Sequence, residues 1–428
     1  MDTRDKYAQY VNTSFTGGLE PIVFDRAEGA HVYDEAGRRY IDCFSGISVV
    51  NAGHVHPKVR DAAKVQIDRL IHASSYSYYV KPVADLAERL AAVTPGRLQK
   101  TFFANSGAEG IEAAMRMAKA YSGRHEFIAL ERSFHGRSVG TLSVTGNMSR
   151  KSRAGPYLSG VAFAPTPYPY RSRFGTDPEV VAAQAAAAVE DVIRFHTSGD
   201  VAAFIAEPVM GEGGIIVPPR TYLPRVKEVL DRHGILLIAD EVQCGFGRTG
   251  RLFAVEHFGV EPDILVSAKG IADGFPLSAT IARAEVADSF QPGEHLSTFG
   301  GNPVSCAAAI ANLDVMLSED LPGRAARLGD RALGILRSET AGLEQVGEVR
   351  GLGLMIGIEF VKSRASKEPD ADLAKAVRIF CRERGVLIGV GGSDGNVLRL
   401  QPPLVIDESD LGQSLEVIVS GVRALVAA

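Results

Sequence analysis

Short apolar runs alternate with amphipathic stretches along the chain from about residue 60 to about residue 310. Each run contains β-branched or aromatic residues and is short enough to form a single strand. We predict strands at 101–105, 126–130, 202–206, 234–239 and 263–268. A helical pattern of apolar residues covers 179–196, between two of these runs. Strands separated by helices are typical of βαβ units, which predicts a mostly parallel sheet with both faces covered.

The hydrophobic pattern changes after about residue 315. The charged helical sequence GRAARLGDRALGILRS is followed by the strand-like sequences GLMIGIEFV and VLRLQ, which predicts a smaller α+β domain. Near the start of the chain, AHVYDEAGRRYID predicts a hairpin that turns at Ala36 and Gly37 and packs with this smaller domain. We therefore predict an N-terminal segment (1–55), a large domain (56–312) and a small C-terminal domain (313–428).

The composition is that of an ordinary globular protein of 428 residues, with 46% hydrophobic and 23% charged residues. A formal net charge of −5 lacks the positive footprint of a nucleic-acid or anionic-membrane binder, so we expect neither partner. The sequence has no apolar stretch of membrane-spanning length and no signal-like N-terminus. The four cysteines are scattered without a CxxC pair, which argues against a disulfide framework or a zinc ribbon and predicts a cytoplasmic location.

Charged residues follow three of the predicted strands. Glu207 comes after AAFIA, Asp240 after GILLIA, and Lys269 after DILVSA. The carboxyl ends of parallel strands meet at one edge of a sheet, where ligands bind. Two carboxylates and an ammonium group at one edge are costly unless each is paired, so together they indicate an active site.

A helix N-terminus follows the strand TFFAN. Residues 106–109 form an S-x-x-E capping box, and Gly123 is a plausible end of the helix. The apolar residues that follow fall on one helical face: Ile111, Ala114, Met115 and Ala118. The free N–H groups at this end could bind an anion, although this segment taken alone favours a simple well-capped helix. Two glycine-rich stretches, 211–216 and 351–357, lack the spacing of a dinucleotide fingerprint, and we interpret them as turns.

One cofactor needs a lysine, a carboxylate, an anion site and an aromatic ring together. Pyridoxal phosphate (PLP) binds its lysine as a Schiff base, and a carboxylate keeps its ring nitrogen protonated. Lys269 would supply the amine, and Asp240 would pair with the ring nitrogen. Ser106 to Ala108 would bind the phosphate, and Phe134 in SFHGR would cover the ring.

Seven motifs occur in order over about residues 20 to 405. They are FANSGAEGIEAAMRMAK, SFHGRS, AEPVMGEGGIIVPP, GILLIADEVQCGFGRTG, DILVSAKGIADGFPL, STFGGNPVSCAAA and VRGLGLMIGIEF. The set resembles the class III PLP-dependent aminotransferases, which include 4-aminobutyrate, ornithine, acetylornithine and alanine–glyoxylate aminotransferases. This resemblance implies an α/β fold of the aspartate-aminotransferase type (fold type I), with a large, mainly parallel-sheet domain and a smaller α+β domain.

The resemblance also implies roles for individual residues. Lys269 is the Schiff-base lysine and proton shuttle, Asp240 is the partner of the ring nitrogen, and Thr298 reaches the phosphate in the neighbouring subunit. A homodimer with shared sites follows, either alone or within a tetramer. The implied cofactor-binding set is Ser106, Gly107, Ala108, Phe134, His135, Asp240, Val242, Gln243, Lys269 and Thr298. His54 and His56 lack an evident third ligand, so we interpret them as part of a turn and expect no metal site.

Four further residues match substrate-binding positions of the family. Arg399 matches the arginine that binds a substrate carboxylate, and Arg137 matches the one that holds the second carboxylate of a dicarboxylate. Glu207 is expected to pair with Arg399 when an ω-amine is bound and to leave it when an α-amino acid is bound. The alternative is that Arg137 and Glu207 are ordinary salt-bridge residues. Ile47 stands where the family's decarboxylases have glutamine, which argues against decarboxylation.

The resemblance implies a ping-pong transaminase. We expect transfer from an ω-amino acid resembling 4-aminobutyrate, or from another amino acid, to a 2-oxo acid, with 2-oxoglutarate favoured. Alternatives are an alanine- or β-alanine-type transaminase that uses pyruvate or glyoxylate, a 2,2-dialkylglycine decarboxylase, an amino-acid racemase and a phospholyase. Cys244 and Gly110 depart from the common family pattern without removing a catalytic group. A catalytically silent scaffold is disfavoured because both Lys269 and Asp240 are present.

Overall fold

The computed structural model describes residues 1–14, 16 and 18–426. Within them, the strands are β1 (Phe24–Glu28), β2 (His31–Asp34), β3 (Arg39–Asp42), β4 (Leu98–Ala104), β5 (Glu126–Leu130), β6 (Val161–Ala164), β7 (Val201–Ala206), β8 (Leu236–Asp240), β9 (Ile264–Ser267), β10 (Ser278–Arg283), β11 (Val346–Leu352), β12 (Met355–Phe360), β13 (Val386–Leu387), β14 (Gly389–Gly391) and β15 (Val397–Leu400).

The helices of the described residues connect and cover these strands. They are α1 (Thr3–Tyr10), α2 (Ser45–Ser48), α3 (Pro57–Ile67), α4 (Lys81–Val93), α5 (Gly107–Ser122), α6 (Val139–Ser143), α7 (Pro178–Phe195), α8 (Tyr222–His233), α9 (Ala284–Ala287), α10 (Pro303–Ser318), α11 (Leu321–Thr340), α12 (Ala371–Glu383) and α13 (Glu408–Val426). Short 3₁₀ helices cover Met148–Arg150, Pro169–Arg171, Ala254–Phe258 and Lys269–Ile271. In the part of the chain so described, no helix combines the length and apolar character needed to cross a membrane.

A seven-stranded sheet forms the centre of the fold, in the order β4-β10-β9-β8-β7-β5-β6. Its pairs are parallel except those of β10, which runs antiparallel to both β4 and β9. The five predicted strands correspond to β4, β5, β7, β8 and β9, and the mostly parallel sheet is confirmed. The sequence pattern missed β6 and β10. β6 is an edge strand of only four residues, and β10 reads Ser-Ala-Thr-Ile-Ala-Arg, with a single large apolar side chain.

Helices cover both faces of this sheet. Every residue of β7 and β8 is buried, as expected where helices cover both sides of a parallel sheet. The predicted apolar face of α5 is buried, and the helix ends at Gly123, whose φ of 69° is easy for glycine. The predicted helix at 179–196 is α7, which begins after the N-cap Asp177. These elements place the C-terminal ends of β7, β8 and β9 at one edge.

Two four-stranded sheets lie outside the central one, in the orders β1-β2-β3-β13 and β11-β12-β15-β14. The first contains the predicted hairpin, with its turn at Gly37 (φ 79°). It also joins the two ends of the chain, because β3 pairs in parallel with β13, Ile41 opposite Val386. This pairing supports the expected packing of the N-terminal segment, whereas the boundaries at 55 and 312 stay a prediction. Helix α10 runs across residue 312.

The two glycine-rich stretches differ in structure. The stretch 211–216 is a turn, as predicted, flanked by a bridge between Met210 and Ile216. The prediction of a turn over 351–357 was too long, because β11 and β12 fill most of it and the turn is confined to Gly353 and Leu354. A Cβ on Gly353 would lie 2.5 Å from the backbone of Thr249, so this close approach requires glycine.

Candidate active site

Most of the predicted site residues line one cavity of about 390 Å³, a size typical of small-molecule sites. It lies at the carboxyl ends of β8 and β9, beside the N-terminus of α5. The predicted residues that line it are Ser106, Gly107, Ala108, Phe134, His135, Arg137, Glu207, Asp240, Val242, Gln243 and Lys269. The ends of separate strands therefore bring together the two carboxylates and the lysine, as the sequence pattern predicts.

Three predicted residues are not among those that line the cavity. Arg399, on β15, is buried, with 3% of its surface exposed. Thr298 is exposed on the loop that precedes α10. Ile47 is 37% exposed and has a φ of 70°, a left-handed conformation that strains a β-branched residue. The assigned roles of Thr298 and Ile47 stay predictions.

The N-terminus of α5 forms the anion-binding end of the cavity. The hydroxyl of Ser106 accepts a hydrogen bond from the backbone N–H of Glu109 (3.3 Å). In return, the Glu109 carboxylate accepts from the N–H groups of Ser106 (3.0 Å) and Asn105 (2.7 Å). This capping box fixes the first turn, and the positive end of the helix dipole then favours an anion. A Cβ on Gly107 would lie 2.7 Å from the Val242 side chain, so the turn needs a residue without one.

Asp240 is held by two hydrogen-bond partners at the end of β8. Its Oδ2 lies 2.7 Å from Nδ1 of His135, and both side chains are buried. Its Oδ1 accepts from the backbone N–H of Val242 at 3.1 Å. Because both oxygens are fixed, the carboxylate has one orientation in the cavity. The sequence placed His135 beside Phe134 but gave no indication of this contact with Asp240.

Lys269 follows β9 by two residues and begins a 3₁₀ helix with a φ of 47°. Burial lowers the pKa of its ammonium group below the ordinary value, and the charges of Asp240, Glu207 and Glu212 only partly oppose this effect. A lower pKa increases the fraction of neutral amine, which is the nucleophilic form. The position of this lysine therefore suits it to condense with an aldehyde.

These groups fit pyridoxal phosphate. The cavity offers a nucleophilic amine, a carboxylate of fixed orientation, a helix N-terminus and the aromatic side chain of Phe134. When bound, this cofactor supplies an electron sink for a carbanion at the substrate carbon. Lys269 would hold it covalently, Asp240 would face its ring nitrogen, and residues 106–108 would receive its phosphate.

The expected pairing of Glu207 with Arg399 is wrong in this structure. The Oε1 of Glu207 accepts from the backbone N–H of Phe134 (2.9 Å), and its Oε2 accepts from that of Gly211 (2.8 Å). Burial raises the pKa of this carboxyl to about 7. Glu207 thus joins the segment that carries Phe134 to the turn at 211–216. Its carboxylate accepts hydrogen bonds from backbone N–H groups rather than from an arginine.

The partner of Arg399 is Glu212, whose Oε2 lies 2.7 Å from Nη1 of the arginine. Sequence reasoning missed this residue because it interpreted 211–216 only as a turn. The available signal was a carboxylate within a glycine-rich turn that follows a strand end. Glu212 lies five positions after Glu207, and both glutamates occur in the motif AEPVMGEGG.

Arg137 lies at the exposed side of the cavity. Its guanidinium carbon is 5.6 Å from the centre of the Phe134 ring, within the range of a cation–π contact. Its side chain is exposed, so its charge is available to a ligand that enters from solvent. Arg137 therefore lies at the exposed side of the cavity, whereas Arg399 lies near Lys269.

Comparisons with known proteins agree on one family. A family model described as "Aminotransferase class-III" matches residues 16–422. The chain is 43% identical to an acetylornithine aminotransferase of Methanothermobacter thermautotrophicus, over 93% of each chain. It is 37% identical to a probable 4-aminobutyrate aminotransferase of Bacillus subtilis, over 98% of this chain and 97% of that one. It is also 40% identical to a leucine/methionine racemase of Thermococcus litoralis, over 92% and 89% of the two chains.

The fold is also similar to solved structures. An amine transaminase from an uncultivated Pseudomonas species, solved in its PLP-bound form, has a TM-score of 0.90 and 36% identity. The similarity covers 96% of this chain and 97% of that one. The likeness therefore extends over both the central sheet and the outer sheets.

Proposed function

The chain belongs to the class-III aminotransferases, and on this basis we propose that it transfers the amino group of a 4-aminobutyrate-like ω-amino acid to 2-oxoglutarate. The predicted fold type I architecture and pyridoxal phosphate cofactor are confirmed by the family and by the PLP-bound structural neighbour. The enzyme acts on amino acids and 2-oxo acids. The identity of donor and acceptor is what we propose here.

The contact between Arg399 and Glu212 carries this proposal. The carboxylate of Glu212 neutralises Arg399 at 2.7 Å, and the charges of both residues act on Lys269. A donor that has an amine but no carboxylate at this end can bind while Arg399 and Glu212 stay paired, because Glu212 already neutralises the arginine. An α-amino acid or a 2-oxo acid would instead displace Glu212 and pair with Arg399. One pocket could then accept both substrates of a ping-pong reaction.

Arg137 supports a substrate with a carboxylate at its far end. Its exposed guanidinium lies beside Phe134, on the side of the cavity open to solvent. 4-Aminobutyrate has one terminal amine and one terminal carboxylate, and 2-oxoglutarate has a carboxylate at each end. Both molecules can therefore place a carboxylate near Arg137 while the reacting carbon lies near Lys269. A relative named as a probable 4-aminobutyrate aminotransferase supports the same class of donor.

We assign chemical roles within the cavity to the residues that line it. Lys269 would hold the cofactor covalently and would move the proton at the substrate carbon, and its lowered pKa favours the neutral amine that these roles need. Asp240 would keep the ring nitrogen protonated, and its contact with His135 at 2.7 Å fixes its direction. Phe134 and Val242 are assigned to the ring, and Gln243 to the ring hydroxyl. Residues 106–108 bind the phosphate through the start of α5.

The test is a pair of half-reactions read from the absorbance of the bound cofactor. We expect 4-aminobutyrate alone to convert the cofactor to its aminated form, and 2-oxoglutarate alone to reverse this change with release of glutamate. The matched control is Lys269→Ala, which should fold and bind the cofactor weakly but show no turnover. If no ω-amine changes the spectrum, the proposed donor class is wrong.

Racemisation is the second candidate, because a leucine/methionine racemase is 40% identical to this chain. A racemase returns the proton to the carbon from which it was removed, so it needs no 2-oxo acid. The same protein incubated with L-leucine and no acceptor should yield no D-leucine if our proposal holds. Formation of D-leucine without amino transfer would favour the racemase.

We also propose that the enzyme is a homodimer. Residues 71–79 and 296–302 contact each other, for example through the rings of His72 and Phe299, whose centres are 5.3 Å apart. Large apolar side chains of both segments are exposed: Ile71, Tyr78, Tyr79, Leu296 and Phe299. Contiguous exposed apolar surface is typical of a protein interface, and Thr298 lies within it.

A cytoplasmic location is part of the same proposal, supported by four cysteines that are free and buried.

A further inference from the structure

The carboxylate of Glu212 bridges two arginines. Its Oε2 lies 2.7 Å from Nη1 of Arg399, and its Oε1 lies 2.5 Å from Nη2 of Arg150. Each oxygen therefore has its own cationic partner. One of the two contacts can break while the other remains. The resemblance did not assign Arg150 a role, and the cavity residues do not include it.

Arg399 is fixed in its position. Only 3% of its side chain is exposed, and its Nη2 donates to the carbonyl of Val390 at 3.3 Å. The backbone of Gly391 packs against its guanidinium, where a Cβ would lie 2.6 Å from Nε. The ring of Phe44 lies 5.4 Å from the guanidinium carbon. Since Arg399 cannot move away, a substrate carboxylate that binds it must displace Glu212.

The backbone around Glu212 is fixed as well. The N–H of Gly211 donates to Glu207 at 2.8 Å. Arg350 donates to the carbonyls of Gly214 (2.5 Å) and Ile215 (2.9 Å). The turn is therefore held on both sides of Glu212. The displacement must be a rotation of the Glu212 side chain alone.

Arg150 lies on the solvent side of Glu212, the side towards which the Glu212 side chain can rotate. Its side chain is 28% exposed, against 13% for Glu212 and 3% for Arg399, so the three residues run from solvent to interior. A carboxylate that lost Arg399 without another partner would be a partly buried, unpaired charge, which is strongly unfavourable. Arg150 removes that penalty because it already contacts the other oxygen.

We propose that Arg150 is a specificity-determining residue that retains the Glu212 carboxylate when a substrate carboxylate binds Arg399. The inference rests on the proposed function, since it concerns the switch between donors without an α-carboxylate and substrates with one. Arg150 acts through Glu212 and does not contact the substrate. It lowers the free energy of the form in which Arg399 is open to a substrate.

The electrostatics of Glu212 agree with this role. Burial alone raises the pKa of Glu212, but the charges of Arg399 and Arg150 outweigh it and hold the pKa below the ordinary value. The carboxylate is therefore ionised at neutral pH and needs a cation in either position. Its other charged neighbour is Lys269.

The first test uses the PLP-loaded enzyme and compares Arg150→Gln with Arg150→Lys. We expect Arg150→Gln to lower the ratio of kcat/KM for L-glutamate to that for 4-aminobutyrate about tenfold, and Arg150→Lys to restore most of the ratio. The matched control is Arg153→Gln, which removes the same charge from an exposed residue in the same segment. An unchanged ratio in Arg150→Gln, or an equal fall in Arg153→Gln, would overturn the proposal.

A second measurement does not depend on turnover. Glutarate carries two carboxylates and no amino or oxo group, so its binding can be measured by calorimetry. We expect Arg150→Gln to weaken glutarate binding about tenfold. A crystal structure of the wild-type complex should show glutarate on Arg399 and Glu212 still on Arg150. Glutarate bound while Glu212 stays on Arg399 would contradict the inference.

The two measurements separate this inference from the proposed function. If the wild-type enzyme does not use 4-aminobutyrate or 2-oxoglutarate, the proposed function fails. The position of Glu212 in the glutarate complex would still decide the role of Arg150. If both substrates are used and the ratio does not respond to Arg150→Gln, the proposed function stands and the role of Arg150 fails.

Discussion

At the scale of single residues, the chemistry of the cavity depends on Asp240, the last residue of β8, and on Lys269, two residues after β9. Asp240 and Lys269 could be predicted because each follows an apolar strand, and strand ends of a parallel sheet meet at one edge. The contact between Asp240 and His135 could not, because the two residues lie far apart in sequence and their meeting depends on the path of a loop. The expectation that Glu207 pairs with Arg399 failed for the same reason. Glu207 and Glu212 both follow β7, and only the shape of the turn decides which one reaches Arg399.

Glu241, next to Asp240, also has a buried carboxyl group. Its titration predicts that the stability of the fold depends on pH. Its oxygens accept from the N–H groups of Ala254 (3.0 Å) and Val255 (2.7 Å), and burial raises its pKa from 4.5 to about 7. The folded state thus binds this proton more tightly than the unfolded state. The contribution of this carboxyl to the free energy of unfolding is full below pH 4.5, and it is lost as the pH rises through about 7.

We therefore expect Glu241→Gln to gain stability relative to the wild type as the pH rises from 4.5 to above 7, by about 3 kcal/mol in all. The measurement is the difference between thermal midpoints of the two proteins at each pH, at one scan rate. The matched control is Glu344→Gln, the same chemical change at an exposed position. A difference that stays constant for Glu241→Gln would show that this carboxyl is not protonated in the fold.

At the scale of elements, the hydrophobic pattern predicted the strands that contain the longer apolar runs. Strands β7, β8 and β9 are buried throughout and consist mostly of apolar residues. The edge strand β6 has only four residues, and the nearly fully buried strand β10 has Ile281 as its single large apolar residue, so both were missed. The capping box of α5 was predictable because local spacing alone determines it. The packing of that helix start against Val242 was not, since Val242 belongs to a distant segment.

That packing predicts the effect of a methyl group at the start of α5. A Cβ on Gly107 would lie 2.7 Å from the side chain of Val242, which lines the cavity, so Gly107→Ala must displace this side chain. We expect the dissociation constant for PLP to rise about tenfold, from the cost of overpacking. Equilibrium titration of the cofactor-free protein measures this constant.

The matched control is Gly334→Ala in α11, where a Cβ would meet nothing within 4 Å. This variant should bind PLP as the wild type does. If Gly107→Ala also binds PLP normally, Val242 moves away from the cavity and does not define its wall.

At the scale of the whole molecule, the three sheets and the exposed apolar surface bear on assembly. The class of fold was predictable from the order of strands and helices, but the surface that a partner covers was not. Thr298 lies between Leu296 and Phe299, which are 63% and 61% exposed. In the proposed dimer, Thr298 serves the site of the other subunit, so each site needs residues from both chains.

Hybrid dimers test this sharing. We combine a Lys269→Ala subunit with a Thr298→Asp subunit by coexpression with different tags. Neither homodimer should be active at low PLP, because one lacks the amine and the other places a carboxylate against the phosphate. In the hybrid, one site has both intact residues, so about half of the wild-type activity per dimer should return. No recovery of activity would mean that Thr298 contributes to the site of its own subunit or to no site.

The pairing of β3 with β13 has a consequence for synthesis of the chain. All strands of the central sheet come from residues 98–283, so this sheet can assemble before synthesis of the C-terminal third of the chain is complete. The free edge of β3 must wait for β13, and Arg399 arrives later still. A nascent chain would thus form its cofactor cavity before it contains Arg399, the arginine that we propose binds the substrate carboxylate. The unpaired β3 edge would be the natural target of a chaperone during that interval.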